Sequence, residues 1–172
     1  DPDAVTYAAA AILGETIKVS RVGYGTIDPA SETLSVECDW VMPGVGSLAG
    51  TLQLRDYGSF IDDLKLGRFI AIDDVARGER TAAAAGALVA RSAAAFVNVP
   101  VVENGQLVAV LYVSHAQPRA WSEEDLALIR EIAARARSAS ERVVNARALR
   151  DSEQRLREAN ESLEAQIVAR TR

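Results

Sequence analysis

AAFVNVPVVENGQLVAVLYVSH, Ala94 to His115, is two apolar runs on either side of Glu103-Asn104-Gly105. Asn-Gly between such runs is a strong hairpin signal, because a type I′ turn needs positive φ at both central residues. The spacing predicts strands over Ala94–Val102 and Gln106–His115, and leaves open whether the turn pair is Asn104-Gly105 or is displaced by one residue. The hairpin runs directly into a helix start. After Pro118, Ser122 is placed to cap a helix whose first turn holds Glu123, Glu124 and Asp125, and acids there complement the helix dipole. Asp125 takes the third position where a capping box usually has Glu or Gln. No Pro or Gly follows before Arg172. A helix of roughly 50 residues is far longer than the globular average of about 12 and needs a partner.

That partner is written into the helix itself. Leu149, Leu156 and Leu163 recur every seven residues, Ile167 lies four further on, and Asn160 falls three before Leu163. A leucine seam at this spacing predicts a dimeric coiled coil, in which a polar core residue such as Asn160 fixes register and oligomer state. Asp151–Arg155 and Glu153–Arg157 are i,i+4 pairs in the better orientation.

Upstream, Asp3–Ile17 reads as a helix with Asp3 as its N-cap. Val19–Asp28 and the alternating Leu34–Met42 read as antiparallel strands. Pro43 to Ser47 is a loop, Asp56–Leu66 a short amphipathic helix, Phe69–Ile72 a brief strand, and Glu79–Arg91 an alanine-rich helix. The order is helix, two strands, loop, helix, strand, helix, hairpin, long helix, an α+β chain with a mainly antiparallel sheet flanked by helices. Residues 1–145 are expected to form one domain, and 146–172 the coiled-coil extension.

A net charge of -5 over 172 residues argues against a nucleic-acid or anionic-membrane surface. From Trp121 onward ten Arg balance ten Asp and Glu, so the whole deficit lies in the first 120 residues. Cys38 is the only cysteine, which excludes an internal disulfide and a cysteine metal cluster and fits a reducing compartment. No apolar run approaches the roughly 20 residues of a membrane span, and no basic leader opens the chain. These features point to the cytoplasm. A start without Met and a stop at Arg172 in mid-pattern suggest a piece of a longer protein.

Three stretches in order, LGETIKVSRVGYGTID (Leu13–Asp28), FIAIDDVARGERT (Phe69–Thr81) and AAAFVNVPVVENGQLVAVLYVSHAQPRAWSEEDLALIREIAARA (Ala93–Ala136), resemble a GAF domain, the small-molecule sensor module of bacterial signalling proteins. The tail ALRDSEQRLREANESLEAQIVARTR (Ala148–Arg172) is similar to signalling helices that join sensor domains to histidine kinase cores, and such helices also precede other output domains. The resemblance implies a six-stranded antiparallel sheet, dimerising helices on one face and a pocket on the other. It implies a homodimer, a small-molecule ligand of unknown identity and a kinase or other output domain in cis. A GAF fold retained only for dimerisation, without ligand, is the alternative.

Within that frame, Asn98 interrupts an apolar strand and must find a partner, while alternation puts Tyr112 on a face with Val108 and Val110. If the two faces coincide, Asn98 and Tyr112 supply the few polar groups of an apolar ligand site. Asp74 and Arg80 precede the pocket-covering helix and are candidate ligand contacts, or else Asp74 caps a turn. His115 is a minor candidate, against a strand-end histidine bonded to backbone. Cys38, between Glu37 and Asp39, lacks the positive surroundings of a reactive thiol. The resemblance also raises a linear tetrapyrrole, which phytochrome GAF domains bind through a cysteine, and in several such families a Cys-His pair marks the attachment helix. Here Asp39 follows Cys38 and Ala116 follows His115, which argues against a covalent bilin. Catalytic triads, phosphate loops and metal helices are absent from the pattern, and Gly23-Tyr24-Gly25 lacks the third glycine of a dinucleotide site.

Overall fold

The computed structural model describes residues 2–171. An N-terminal helix α1 (Pro2–Ile17) leads into β1 (Arg21–Asp28), β2 (Thr33–Val36), β3 (Asp39–Val41) and β4 (Gly50–Gln53). A 3₁₀ turn at Leu54–Tyr57, helix α2 (Ile61–Lys65), β5 (Ile70–Ile72) and helix α3 (Ala85–Ala90) follow. The chain closes with β6 (Ala95–Glu103), β7 (Gln106–His115) and α4 (Glu123–Arg170). The capping role expected of the Asp3 side chain lies outside the described residues.

The sheet is antiparallel throughout, in the order β4-β2-β1-β7-β6-β5, with β3 also on β1. The hairpin turn is Asn104-Gly105, with φ of 50° and 75° and Glu103 opposite Gln106. Ser122 caps α4 by accepting a hydrogen bond from the Asp125 amide at 3.1 Å.

Three expected elements differ, and one strand, β4, is additional. Leu34–Met42 is broken at Glu37–Cys38 into β2 and β3, which pair with successive parts of β1. β4 forms at Gly50–Gln53, where no strand is expected, and pairs with β2. The Asp56–Leu66 helix is cut at Gly58, whose φ is 134° and where a Cβ would lie 2.3 Å from the Arg80 carbonyl oxygen. Only a glycine lets the chain turn and pass this close. The Glu79–Arg91 helix shrinks to a 3₁₀ turn at Ala82–Ala84 and then α3, because the fully buried Thr81 hydroxyl donates to the Val75 carbonyl and holds a turn instead.

Alternation along the strands divides the core in two. Val22, Val97, Leu111 and Val113 face α1 and the first part of α4, packing with Leu13 and Ile129. Ile27, Leu34, Phe96, Val110 and Tyr112 face the other way, beneath α2, α3 and the connecting turns, with Phe60, Ile61, Leu64 and Leu88. Gly14 of α1 leaves room for the Trp40 ring, which a Cβ would meet at 2.2 Å. Helix α4 outruns this core: every described side chain beyond Val143 is exposed, including Leu149, Leu156, Asn160, Leu163 and Ile167. Among the described residues, the ion pairs within α4 are Glu131–Arg135 and Arg137–Glu141. The expected pairs Asp151–Arg155 and Glu153–Arg157 do not close; holding two long exposed side chains together costs about what the pair gains.

Candidate functional site

Between the second sheet face and the α2–α3 layer lies a cavity of about 80 Å³. Its walls are mostly apolar, with Leu34, Leu52, Phe60, Leu88, Phe96 and Val110 prominent. Phe60 and Phe96 meet with ring centroids 5.1 Å apart at a 55° tilt, joining the lid to the sheet. Asn98 and Tyr112 both line the cavity and stand directly opposite one another on β6 and β7. The strand alternation that put each on an inner face thus describes one shared face.

One wall is built by a charged group that alternation alone does not expose. Arg21, at the start of β1, is 1% exposed. Its Nε and Nη2 donate to the Gly46 carbonyl at 3.0 and 2.6 Å, Nη2 also to the Arg91 carbonyl at 2.8 Å, and Nη1 to Ser114 Oγ at 3.1 Å. Asp39 is its counter-ion, 3.8 Å away and itself buried. That carboxylate accepts from the Ser47 hydroxyl, from the Leu48 amide at 2.9 Å and from the Tyr112 hydroxyl at 3.0 Å. Burial lowers the Arg21 pKa, and the Asp39 charge works against that shift. The Tyr112 phenol is pushed far above its usual range, first by burial and then by Asp39.

Gly23 makes the Tyr112 position possible: a Cβ there would sit 2.2 Å from the Tyr112 hydroxyl. The Gly23-Tyr24-Gly25 stretch therefore serves packing under a tyrosine. Arg21 and Asp39 were missed as site residues. The available signal was an arginine inside the apolar run Val19–Asp28, since an arginine facing a core needs a buried acid.

The other candidates lie elsewhere. Asp74 accepts from the Ala76 amide at 3.0 Å and stands 3.7 Å from Arg77. Arg80 is exposed and pairs with Asp63 at 3.1 Å and Asp62 at 3.7 Å on α2. His115 Nδ1 lies 3.3 Å from the Ser20 hydroxyl, and its carbonyl accepts from the Ala94 amide. None of the three is among the residues lining the cavity. Cys38 is exposed at the break between β2 and β3, also away from the lining. Among the described residues, no group of three or more His, Cys, Asp or Glu is arranged to hold a metal ion.

The sheet edge beside the cavity is bonded to the root of α4. β5 pairs Ile70 with Asn98, and two residues on, the Ile72 carbonyl accepts from Trp121 Nε1 at 3.0 Å. The Asp73 carbonyl accepts from the Arg119 amide at 2.9 Å, and the Asp73 carboxylate from the Trp121 amide at 3.3 Å.

The antiparallel sheet has seven strands where six were expected, because β3 adds to β1 beside β2. It carries a covered pocket on one face and the terminal helices on the other, an α+β architecture. The model of the GAF domain family matches residues 1–139, and the chain belongs to that family. Solved structures agree in fold. The blue-light-absorbing form of the PixJ GAF domain from Thermosynechococcus elongatus is 22% identical with a TM-score of 0.73, covering 88% of this chain and 92% of that one. The phycocyanobilin-bound GAF domain of a cyanobacterial phytochrome is 18% identical with a TM-score of 0.67, covering 82% and 85%. A phycoerythrobilin-bound GAF domain, also from a cyanobacterial phytochrome, is 18% identical with a TM-score of 0.67, covering 82% and 87%. At this identity the likeness is one of fold. No curated protein sequence matches the chain.

These matches correct the expectation about chromophore. The missing Cys-His adjacency at Cys38-Asp39 and His115-Ala116 argued against a bilin, yet GAF domains of this same fold carry phycocyanobilin and phycoerythrobilin. A dipeptide tests one attachment pattern, and its absence does not by itself exclude a bilin. Among the described residues, no helix is long and apolar enough to cross a membrane.

Proposed function

We propose that this chain senses a small molecule in the cavity beside Asn98 and passes the resulting change through α4, as a homodimer, to an output domain. Residues 1–145 form the sensor in this reading and 146–172 the output helix, whose leucine seam pairs with that of a second copy. The output is a histidine kinase, on the likeness of Ala148–Arg172 to kinase-linking helices, and the assembly works in the cytoplasm. The observation that carries the reading is the bonding of Ile72 and Asp73 to Arg119 and Trp121, which ties the cavity-side edge of the sheet to the root of the helix. A ligand that fits one placement of this edge better than another shifts the helix by that difference in affinity.

Native mass spectrometry of freshly purified protein tests this. The expected result is a mass of two chains with a retained small molecule. A bare monomer sinks the proposal, and a ligand-free dimer supports the scaffold alternative instead.

A second reading takes the ligand to be a linear tetrapyrrole, on the strength of the bilin-bound GAF structures that share this fold. Co-production with a bilin-synthesising pathway, followed by an absorbance scan, decides it. A visible band that survives denaturation and disappears in Cys38→Ala establishes covalent attachment. A colourless product rejects the reading.

A further inference from the structure

The two buried charged groups of the cavity wall, Arg21 and Asp39, are already answered by the protein. Of the five N–H donors on the Arg21 guanidinium, four are used, and Asp39 offsets its charge. Asp39 in turn accepts three hydrogen bonds, from Ser47, Leu48 and Tyr112. The buried charges therefore answer each other, while Arg91, exposed and over the Tyr57 ring, is a lining cation with no carboxylate partner among the described residues.

Asn98 is different. It is 7% exposed, in the middle of a three-strand stretch, with Ile70 on one side and Tyr112 on the other. It lines the cavity, and its carboxamide makes no hydrogen bond with any described residue. No fully sealed side-chain polar atom lacks a partner among the described residues, so the Asn98 amide atoms are open to the cavity rather than walled in. A buried amide without a partner costs free energy unless water or a ligand completes it. A carboxamide presents one acceptor and two donors in a plane, and its best complement is a neighbouring N–H and C=O pair. That is how Asn meets an adenine edge in nucleic acids.

From these observations we infer that Asn98 recognises a neutral ring bearing an N–H and a C=O side by side, a lactam or cyclic imide edge, with the rest of the ring against Phe60, Phe96, Leu88 and Val110. The inference deepens the sensory reading above and rests on it. About 80 Å³ is roughly half the ~150 Å³ of a cavity that admits benzene, so even a single ring requires the α2–α3 layer to yield. Occupancy and movement of the lid are therefore one event. The same edge occurs on a free one-ring lactam and on the terminal ring of a linear tetrapyrrole, and the experiment separates these sources.

The test titrates the ¹⁵N-labelled protein with 2-pyridone, toluene and benzoate, and separately with biliverdin, following the Asn98 side-chain NH₂ signals and the backbone signals of β6 and β7. The expected result is that 2-pyridone moves the Asn98 NH₂ signals and binds about tenfold or more tighter than toluene, with benzoate weakest. Asn98→Leu removes the preference for 2-pyridone over toluene, and Asn98→Ser reduces it. If biliverdin binds and 2-pyridone does not, the tetrapyrrole is the source, and Asn98→Leu must then weaken biliverdin about tenfold for the inference to stand. Toluene equal to 2-pyridone, benzoate tighter than both, or biliverdin indifferent to Asn98 overturns the inference while leaving the pocket a sensor. No shift with any of the four overturns the inference and the ligand-sensing reading together.

Discussion

Asp39 is the residue on which the pocket wall depends. It is the counter-ion of a fully buried arginine and the acceptor for Tyr112, Ser47 and the Leu48 amide, so it joins β1, β7 and the loop before β4. Breaking a buried pair by removing one partner leaves a charge uncompensated, which costs about 3–5 kcal/mol. Asp39→Ala is expected to lose stability of that size in urea unfolding. The double change Asp39→Ala with Arg21→Met should recover a good part of it, because replacing both partners by apolar groups approaches neutrality. A double variant no more stable than Asp39→Ala would show that the charge pair is not the source. His115 belongs to the same scale. Ser20 Oγ accepts from the Ala116 amide at 2.9 Å, which leaves its hydroxyl free to donate to Nδ1 of a neutral imidazole. Burial, then Arg119, lowers the His115 pKa from its ordinary 6.5. The unfolded chain therefore binds the proton first, and stability drains as the pH falls below about 6.5 until the folded pKa is passed. His115→Gln should flatten that part of the stability–pH curve, and an unchanged slope would place its origin elsewhere.

At the scale of elements, the lid is held down by charge as well as by Phe60 and Leu64. Glu32, on the tight turn between β1 and β2, accepts from Arg55 at 2.8 and 2.6 Å and from Lys65 of α2 at 2.6 Å. Arg55 also reaches Asp62, and Arg80 reaches Asp62 and Asp63, so α2 is tied on both sides. The bonds from Arg55 and then Lys65 lower the Glu32 carboxyl from 4.5 to about 2. A depressed acid contributes above its unfolded pKa, so this part of the lid's hold is complete above about 4.5 and is lost as the pH falls towards 2. The protection factors of the α2 amides should fall across that window, and Glu32→Gln should show the lower protection at neutral pH. Protection insensitive to both would detach the network from lid stability. The same elements show where sequence is informative. The hairpin, the Ser122 cap and α4 follow from local chemistry (Asn-Gly, a capping serine, an unbroken helical run), and each lies within a residue or two of its expected position. The lid is shorter than two regular helices because Gly58 passes close to the Arg80 carbonyl, distant in sequence, and the buried Thr81 hydroxyl turns back to the Val75 carbonyl, a bond whose burial helical periodicity does not signal. Asn98 and Tyr112 were legible from strand alternation. Asp39, the first residue after the break in its strand, acquires its meaning only when β1 brings Arg21 beside it.

For the whole molecule, the open question is how a domain of this size supports a helix that outruns it. Helix α4 is about 72 Å long at 1.5 Å per residue, and its second half rests on nothing. Leu149, Leu156, Leu163 and Ile167 are 61, 66, 56 and 62% exposed. Burying such a side chain is worth about 1.5–3 kcal/mol when complete, so four from each of two chains supply on the order of 10 kcal/mol. Association alone costs about 4–15 kcal/mol, which makes the pairing marginal and open to a shift from the sensor end. Deleting residues 146–172 should therefore convert a dimer to a monomer at micromolar concentration, read by light scattering; an unchanged dimer would place the contact on α1 and the start of α4 alone. Asn160 separates the two meanings of this seam. With Leu156 and Leu163 on the same stripe, a buried asparagine lowers stability but selects register. Asn160→Ile is expected to tighten the dimer by about tenfold or more on sedimentation, because the new isoleucine and Ile167 would then alternate with Leu156 and Leu163, a combination that favours two strands. A weaker or unaltered dimer in Asn160→Ile would mean that the stripe through Leu149, Leu156 and Leu163 does not face a second copy.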